Sequence, residues 1–186
     1  MINTLPTDYL FGAKRYVFVA KKACSAIPPD TIERMMLAAA PLNFMLGHAA
    51  ELLLKSALAF KGYDEKKLAD SDFRHNLTAL KEACQREEIF LLERFVFWID
   101  IIAKNHKDFD FRYPRSFGGF PEKDHARLLD QIGNPSVEAK KEIRKYGLVT
   151  TSPTNEEDFI CAIEEQIKII VTLDLNTKHE DKAEKC

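Results

Sequence analysis

The sequence has few of the residues that interrupt regular secondary structure. Its 186 residues include only 7 glycines and 8 prolines, and most of these lie between segments of periodic hydrophobicity. Turns and β-bulges depend on glycine and proline more than on any other residue types. Their scarcity argues against a turn-rich β fold and favours long, uninterrupted helices.

Cysteine is also rare, and its spacing excludes several classes of protein. The 4 cysteines are far apart in the sequence and form no CxxC pair, whereas disulfide-rich scaffolds and cysteine zinc ribbons need denser cysteines. No apolar run reaches the roughly 18 residues of a membrane span. The N-terminal segment lacks the basic flank and apolar run of a signal peptide. We therefore expect a cytoplasmic protein with reduced thiols and no membrane association.

Neither sign of charge dominates, because the net charge is −2 and charged residues make up 30% of the chain. A general polyanion binder is therefore excluded, and any contact with nucleic acid needs a local basic face. One candidate lies near the N-terminus, where Lys14, Arg15, Lys21 and Lys22 share one side of a predicted helix. Such a face can contact phosphates or can simply be solvated.

Hydrophobic periodicity predicts helices along most of the chain. The predicted long helices cover residues 7–27, 31–61 with a break at Pro41, 76–87, 89–106 and 155–176, and weaker ones cover 122–132 and 136–146. The helix at 89–106 is apolar nearly all round, so we place it at the centre. The fold is predicted to be all-α, an up-and-down bundle of four to five long helices with an irregular loop, 107–124, before the C-terminal helix. One domain spans 1–178, and 179–186 forms a disordered tail.

The common catalytic signatures are absent. The chain has no HExxH, P-loop, GxGxxG or GxSxG motif, so no familiar hydrolase or nucleotide-cofactor chemistry is indicated. A di-metal carboxylate bundle needs Glu-x-x-His on two helices, and only Glu122 and His125 have this spacing. We therefore expect no metal site and no cofactor.

One apolar segment carries a narrow polar stripe. In "LGHAAELLLKSALAFKGY", residues 46–63, the side chains of His48, Glu51 and Lys55 fall within about 60° of one another on a helix. Leu52 lies on the same side, which predicts a half-buried stripe. Glu51 and Lys55 have the favourable order for an i, i+4 ion pair. The stripe can be a structural polar network, a contact with a partner chain or a ligand site.

Three motifs in this order resemble a known family. They are "GHAAELLLKSALAFKGY", then "RHNLTALKEAC" at a helix start, then "FRYP" after the next long helix. Together they resemble the HEPN (higher eukaryote and prokaryote nucleotide-binding) helical domain over residues 8–115. The resemblance implies a helical bundle, often a homodimer, that binds nucleotide or RNA. Many family members are metal-independent ribonucleases of defence or toxin–antitoxin systems, some with a nucleotidyltransferase-like partner protein.

The active ribonucleases of this family carry arginine, four to six residues and then histidine. No arginine in this chain precedes a histidine at that spacing. The resemblance therefore implies binding without the usual ribonuclease activity, and it leaves open whether the protein is an enzyme. The ligand-binding residues that we predict are Glu51, Lys55, His75, Asn76, Arg112, Tyr113 and Arg115.

Two other functions remain open. The first is a structural or regulatory module whose polar stripe holds a dimer or a partner protein. The second is an atypical metal-independent ribonuclease that uses Arg112 and His106, which have the required separation in the reverse order. Residues alone do not distinguish these alternatives from ligand binding.

Overall fold

A computed structural model describes residues 5–26, 39–107 and 153–183. Within these ranges the chain is helical and contains no strand, which confirms the predicted all-α bundle. The helices are α1 Leu5–Ala26, α2 Ala39–Phe60, α3 Glu65–Leu68, α4 Leu77–Arg86, α5 Glu93–Lys107 and α6 Pro153–Ala183. The irregular loop predicted from 107 lies outside the described residues beyond Lys107, as do the two weaker predicted helices.

Helix α2 is the element around which the others pack, since it contacts α1, α4, α5 and α6. Its fully buried residues alternate leucine with alanine: Leu46, Ala49, Ala50, Leu53, Leu54, Ala57 and Leu58. The small alanine side chains allow close approach of a neighbouring helix, and α1, which packs against α2, also buries two alanines, Ala13 and Ala20. The prediction that the helix near 89–106 is central was wrong, because α5 leaves Phe97 57% exposed and Ile101 39% exposed.

The ends of α2 and α5 have specific causes. Gly62, two residues after the end of α2, adopts φ 91°, as expected for a glycine that ends a helix. Helix α5 begins at Glu93, four residues later than predicted. The N–H of Leu92 donates to Gln166 at 2.8 Å, and Gln166 donates to the carbonyl of Phe90 at 3.0 Å. This side chain from α6 replaces the hydrogen bonds of a helical turn.

Helix α6 closes the bundle against α1, α2 and α5. The apolar face predicted for it is buried at Phe159, Ile160, Ile163, Ile167 and Ile170. The helix continues to Ala183, five residues into the segment for which the sequence predicts disorder. No helix in the described part of the chain has both the length and the hydrophobicity needed to cross a bilayer.

Candidate functional site

The polar stripe of α2 lies inside the bundle. Glu51 is 1% exposed and Lys55 is 7% exposed, so both are more deeply buried than the sequence predicts. The Lys55 ammonium donates to Glu51 Oε1 at 2.8 Å, one turn away, which confirms the predicted i, i+4 pair. Two opposite charges held together out of water impose strict geometry on their surroundings.

Three imidazoles converge on the other oxygen of Glu51. His106 Nε2 lies 2.9 Å from Glu51 Oε2, His75 Nδ1 lies 3.1 Å away, and His48 Nδ1 lies 3.5 Å away. They come from α5, from the residue before the N-cap of α4, and from α2. We call His48, Glu51, His75 and His106 the histidine cluster. It gathers 3 of the 5 histidines of the sequence around one carboxylate.

His75 is placed by an unusual backbone conformation. Its φ is 56°, in the left-handed region that non-glycine residues rarely adopt. Asn76 then caps α4, because its side-chain oxygen accepts from the N–H of Ala79 at 3.2 Å. A left-handed residue of this kind costs on the order of 1–3 kcal/mol and is found preferentially at functional sites. Here it directs the imidazole towards Glu51.

His106 reaches the cluster because its neighbour on α2 is a glycine. A Cβ at Gly47 would lie 2.6 Å from His106 Nδ1, which is too close for any side chain. The ring of His106 also meets the ring of His75 edge to face, with centroids 6.1 Å apart. Gly47 therefore allows α5 to insert an imidazole next to the carboxylate.

His48 is packed without a hydrogen bond at its Nδ1 atom. Its ring stacks on Phe44 at 5.9 Å and meets the edge of Tyr16 at 4.7 Å. In the described part of the chain, Nδ1 of His48 is the one buried side-chain nitrogen or oxygen atom without a hydrogen-bond partner. At 3.5 Å and with poor alignment, Glu51 attracts it only electrostatically. Buried polar atoms without a partner are rare in folded proteins, and a bound ion, an ordered water or a functional role can account for them.

The electrostatics of the cluster keep Glu51 ionised. Burial by itself would raise the pKa of Glu51, but the neighbouring His106, His48 and Lys55 outweigh it and hold this pKa well below its usual range. Glu51 is therefore an anion at neutral pH. It can accept N–H donors or bind a cation, but it cannot act as a general acid.

The structure brings together three of the predicted ligand-binding residues, Glu51, Lys55 and His75. Asn76 lies beside them as the cap of α4. The remaining predicted residues, Arg112, Tyr113 and Arg115, lie outside the described residues, as do Glu122 and His125.

Two residues of the cluster were missed by sequence reasoning. His48 lies on the predicted polar stripe but is not among the predicted ligand-binding residues, and its position three residues before Glu51 is the signal that could have included it. His106 was considered only with Arg112. It is 55 residues from Glu51, so no local pattern links the two.

A surface groove lies next to the cluster, between the start of α4 and the end of α5. Its volume is about 440 Å³, and it is lined by Asn76, Thr78, Ala79, Glu82, Asp100, Ala103 and Lys107. Asn76 and Lys107 directly follow the cluster residues His75 and His106 in the sequence. The groove therefore borders the chain segments that carry His75 and His106, and none of the four cluster residues lines it.

The basic face predicted on α1 is exposed at Lys14, Arg15, Lys21 and Lys22. Lys21 pairs with Glu164 of α6 at 2.8 Å, and the guanidinium of Arg15 lies over the ring of Phe11 at 4.3 Å. The ion pair with Glu164 reduces the charge that this face offers to a polyanion, whereas the contact with Phe11 leaves the charge of Arg15 in place.

Compared with known proteins, the chain matches no family model, no curated protein sequence and no solved structure. The HEPN resemblance therefore depends on the three sequence motifs, and the geometry of the cluster is interpreted below on its own physical chemistry.

Proposed function

We propose that this chain is a HEPN-like helical domain that binds a phosphate-containing ligand, a nucleotide or RNA, at the exposed edge of the histidine cluster. One observation carries the proposal. The side chains of His48 and His75 are 20% and 18% exposed, whereas those of Glu51 and His106 are 2% and 3% exposed. The cluster therefore presents two imidazoles to a ligand and keeps its carboxylate inside.

The charges near this edge suit a phosphate. Lys55 pairs with Glu51 inside the bundle, so the buried carboxylate is already balanced by a cation. Helix α4 begins immediately after His75 and Asn76, and the positive end of a helix dipole favours anions. Lys107 adds a cation at the groove beside it, where Lys81 pairs with Asp100 and Glu82 is the other carboxylate of the lining. These groups can hold a phosphate without a contribution from the buried carboxylate.

The alternative functions receive less support from the same geometry. Glu51 and Lys55 are buried within one chain, so a homodimer or a partner protein would have to use other residues. His106 already contacts Glu51 through Nε2 and is nearly inaccessible, which disfavours it as a ribonuclease base. Dimerisation, a nucleotidyltransferase-like partner and a toxin–antitoxin role remain expectations from the resemblance.

The test is a fluorescence-anisotropy titration with labelled ATP and a labelled short RNA, in EDTA so that metal ions make no contribution. The informative variant is His75→Gly, because glycine adopts φ 56° freely and only the imidazole is lost. Loss of one hydrogen bond to a charged group predicts binding weaker by about tenfold or more. Lys107→Ala should also weaken binding, whereas Lys66→Ala, an exposed lysine on α3, should leave it unchanged.

Two outcomes would reject this proposal. One is the absence of saturable binding of either probe to folded wild-type protein at concentrations up to about 1 mM, a weak affinity for a specific site. The other is binding that His75→Gly leaves unchanged. Equal losses in Lys107→Ala and Lys66→Ala would show that attraction is general and does not involve the groove.

A further inference from the structure

We propose that His48, Glu51, His75 and His106 form a binding site for a divalent transition-metal ion of the Zn²⁺, Co²⁺, Ni²⁺ and Fe²⁺ class. One ligand atom from each residue is available, and the four atoms all lie within 4.8 Å of one another. The sequence predicted no metal site, because the four residues come from three separate segments and match no ligand motif. This inference does not depend on nucleotide or RNA binding.

The distances suit a first-row metal. In a tetrahedral site with metal–ligand bonds of about 2.0–2.1 Å, neighbouring ligand atoms are about 3.3 Å apart. The three imidazole nitrogens lie 2.9, 3.1 and 3.5 Å from Glu51 Oε2, which is close to that separation. Rotation of the rings that contracts the widest pair, at most 4.8 Å apart, would complete the coordination.

The donor set defines the class of metal. Three imidazole nitrogens and one carboxylate oxygen suit zinc, cobalt, nickel and ferrous ions, whereas Mg²⁺ and Ca²⁺ prefer sites made of oxygen atoms. Glu51 already carries the negative charge that a ligand needs. The partial exposure of His48 and His75 gives an ion a route into the site.

The unpartnered Nδ1 of His48 is an independent reason for a bound cation. This atom is buried and has no hydrogen-bond partner in the described part of the chain. Its lone pair, in the neutral ring with the proton on Nε2, is a metal-ligand donor. Coordination would satisfy the atom and would explain why an imidazole occupies this position when a phenyl ring would make the same contacts with Tyr16 and Phe44.

The surroundings position the ligands as they do in known metal sites. Lys55 holds Glu51 Oε1 and leaves Oε2 directed at the three rings. Gly47 admits the ring of His106, and the left-handed backbone at His75 aims its Nδ1 inward. Outer groups that fix the orientation of the ligands are typical of metal centres.

The charge of Lys55 leads to a prediction that distinguishes this site from metal ions bound at surface histidines. Its ammonium repels a cation at Oε2, so Lys55→Gln should strengthen metal binding by about tenfold or more, since each 1.4 kcal/mol of lost repulsion gives a factor of ten. Glutamine can still donate to Oε1 and hold the carboxylate in place. A change that removes a positive charge should have no such effect on ions held by other histidines.

The experiment uses the full chain, stripped with EDTA, and calorimetric titration with ZnCl₂ together with the visible absorption of bound Co²⁺. We expect one ion per chain and ligand-field bands typical of nitrogen and oxygen donors. His48→Phe keeps the ring packing with Tyr16 and Phe44 and removes one ligand, so the variant should remain folded. Its metal affinity should fall by more than about 100-fold, because even loss of an outer partner costs about 10–100-fold.

The matched control replaces the two other histidines of the sequence together, as His125→Gln with His179→Gln. This variant should retain the stoichiometry and the Co²⁺ spectrum. The proposal is overturned if wild type binds neither Zn²⁺ nor Co²⁺ at micromolar concentration, if His48→Phe binds as well as wild type, or if the control variant loses binding. Because these titrations contain no nucleotide and the anisotropy titrations contain EDTA, each proposal can fail without the other.

Discussion

Replacement of Glu51 by glutamine tests the buried charge pair most directly. The variant keeps the size of the side chain and can still accept a hydrogen bond from His106, but it leaves the Lys55 ammonium without a counter-charge. Lys55 is only 7% exposed, so water cannot replace the lost carboxylate. Removing one partner of a buried ion pair costs about 3–5 kcal/mol of unfolding free energy, and we expect Glu51→Gln to fall in that range.

The assay is urea unfolding in EDTA, followed by the fluorescence of Trp98, the only tryptophan of the sequence. Its ring is buried and stacks on Phe159 with centroids 5.3 Å apart, so its emission reports on the bundle. The matched control is Glu164→Gln, which breaks the pair with Lys21 on the surface. The side chains of Lys21 and Glu164 are 57% and 38% exposed. Ion pairs exposed to this extent contribute about 0–1 kcal/mol to the free energy of unfolding.

A double variant separates an unpaired charge from other causes of instability. Adding Lys55→Met to Glu51→Gln removes the orphaned ammonium, so the double variant should be more stable than Glu51→Gln alone. Two results would refute the reasoning. One is a loss below about 1 kcal/mol, equal to that of the surface control. The other is a double variant that is less stable than Glu51→Gln.

Three further predictions follow from single features. Gly47→Ala should destabilise the fold by about 1–3 kcal/mol, despite the better helix propensity of alanine, because its Cβ would collide with His106. Asp158→Asn should lower stability at pH 7, with a difference that fades as the pH drops below about 3.9, the usual value for an unfolded aspartate. Cys161, which is exposed, should react with a thiol reagent in the native protein, whereas Cys84 should react only on unfolding, since burial raises its pKa to about 12.

The sign of the Asp158 prediction comes from its partners. Arg94 donates a hydrogen bond to it, and this contact, helped by Trp98 Nε1 at 2.8 Å, holds the pKa of Asp158 below its usual value against the opposing effect of burial. A lowered native pKa stabilises the fold above the unfolded pKa, and that stabilisation is lost as the pH falls through the native pKa. A wild-type advantage over Asp158→Asn that persists undiminished at pH 2 would contradict this account.

The other two predictions have matched controls. Gly12→Ala places its Cβ 3.0 Å from Leu52 Cδ1, the end of a flexible side chain, so it should cost less than Gly47→Ala. Equal losses would show that His106 is not the cause. Thiol labelling is best performed with Cys186→Ser, which removes a cysteine outside the described residues. Labelling of Cys84 at the same rate as Cys161 under native conditions would show that the buried side of α4 becomes exposed to solvent readily.

The sequence by itself determined the long helices, because each leaves a local trace, whereas the short α3 is not among the predicted helices. The apolar periods of α1, α2, α4 and α6, the Asn76 cap and the left-handed Gly62 were all predictable from neighbouring residues. The Glu51–Lys55 pair was predictable for the same reason, since its partners are one helical turn apart. The start of α5 was not, because Gln166, more than 70 residues away, supplies the hydrogen bonds that replace its first turn.

Only the tertiary structure decided how the polar stripe of α2 is used. His75 and His106 approach Glu51 from 24 and 55 residues away, and no periodicity connects residues across such distances. The burial of Lys55 depends on the packing of α2 against its neighbouring helices, which cover a stripe that looked half-exposed on an isolated helix. The helical pattern of the sequence thus placed the Glu51 carboxylate and the Lys55 ammonium on one side of α2. The packing of α2 against its neighbours surrounded that carboxylate with imidazoles, because side chains from separate segments meet only once the apolar faces have brought the helices together.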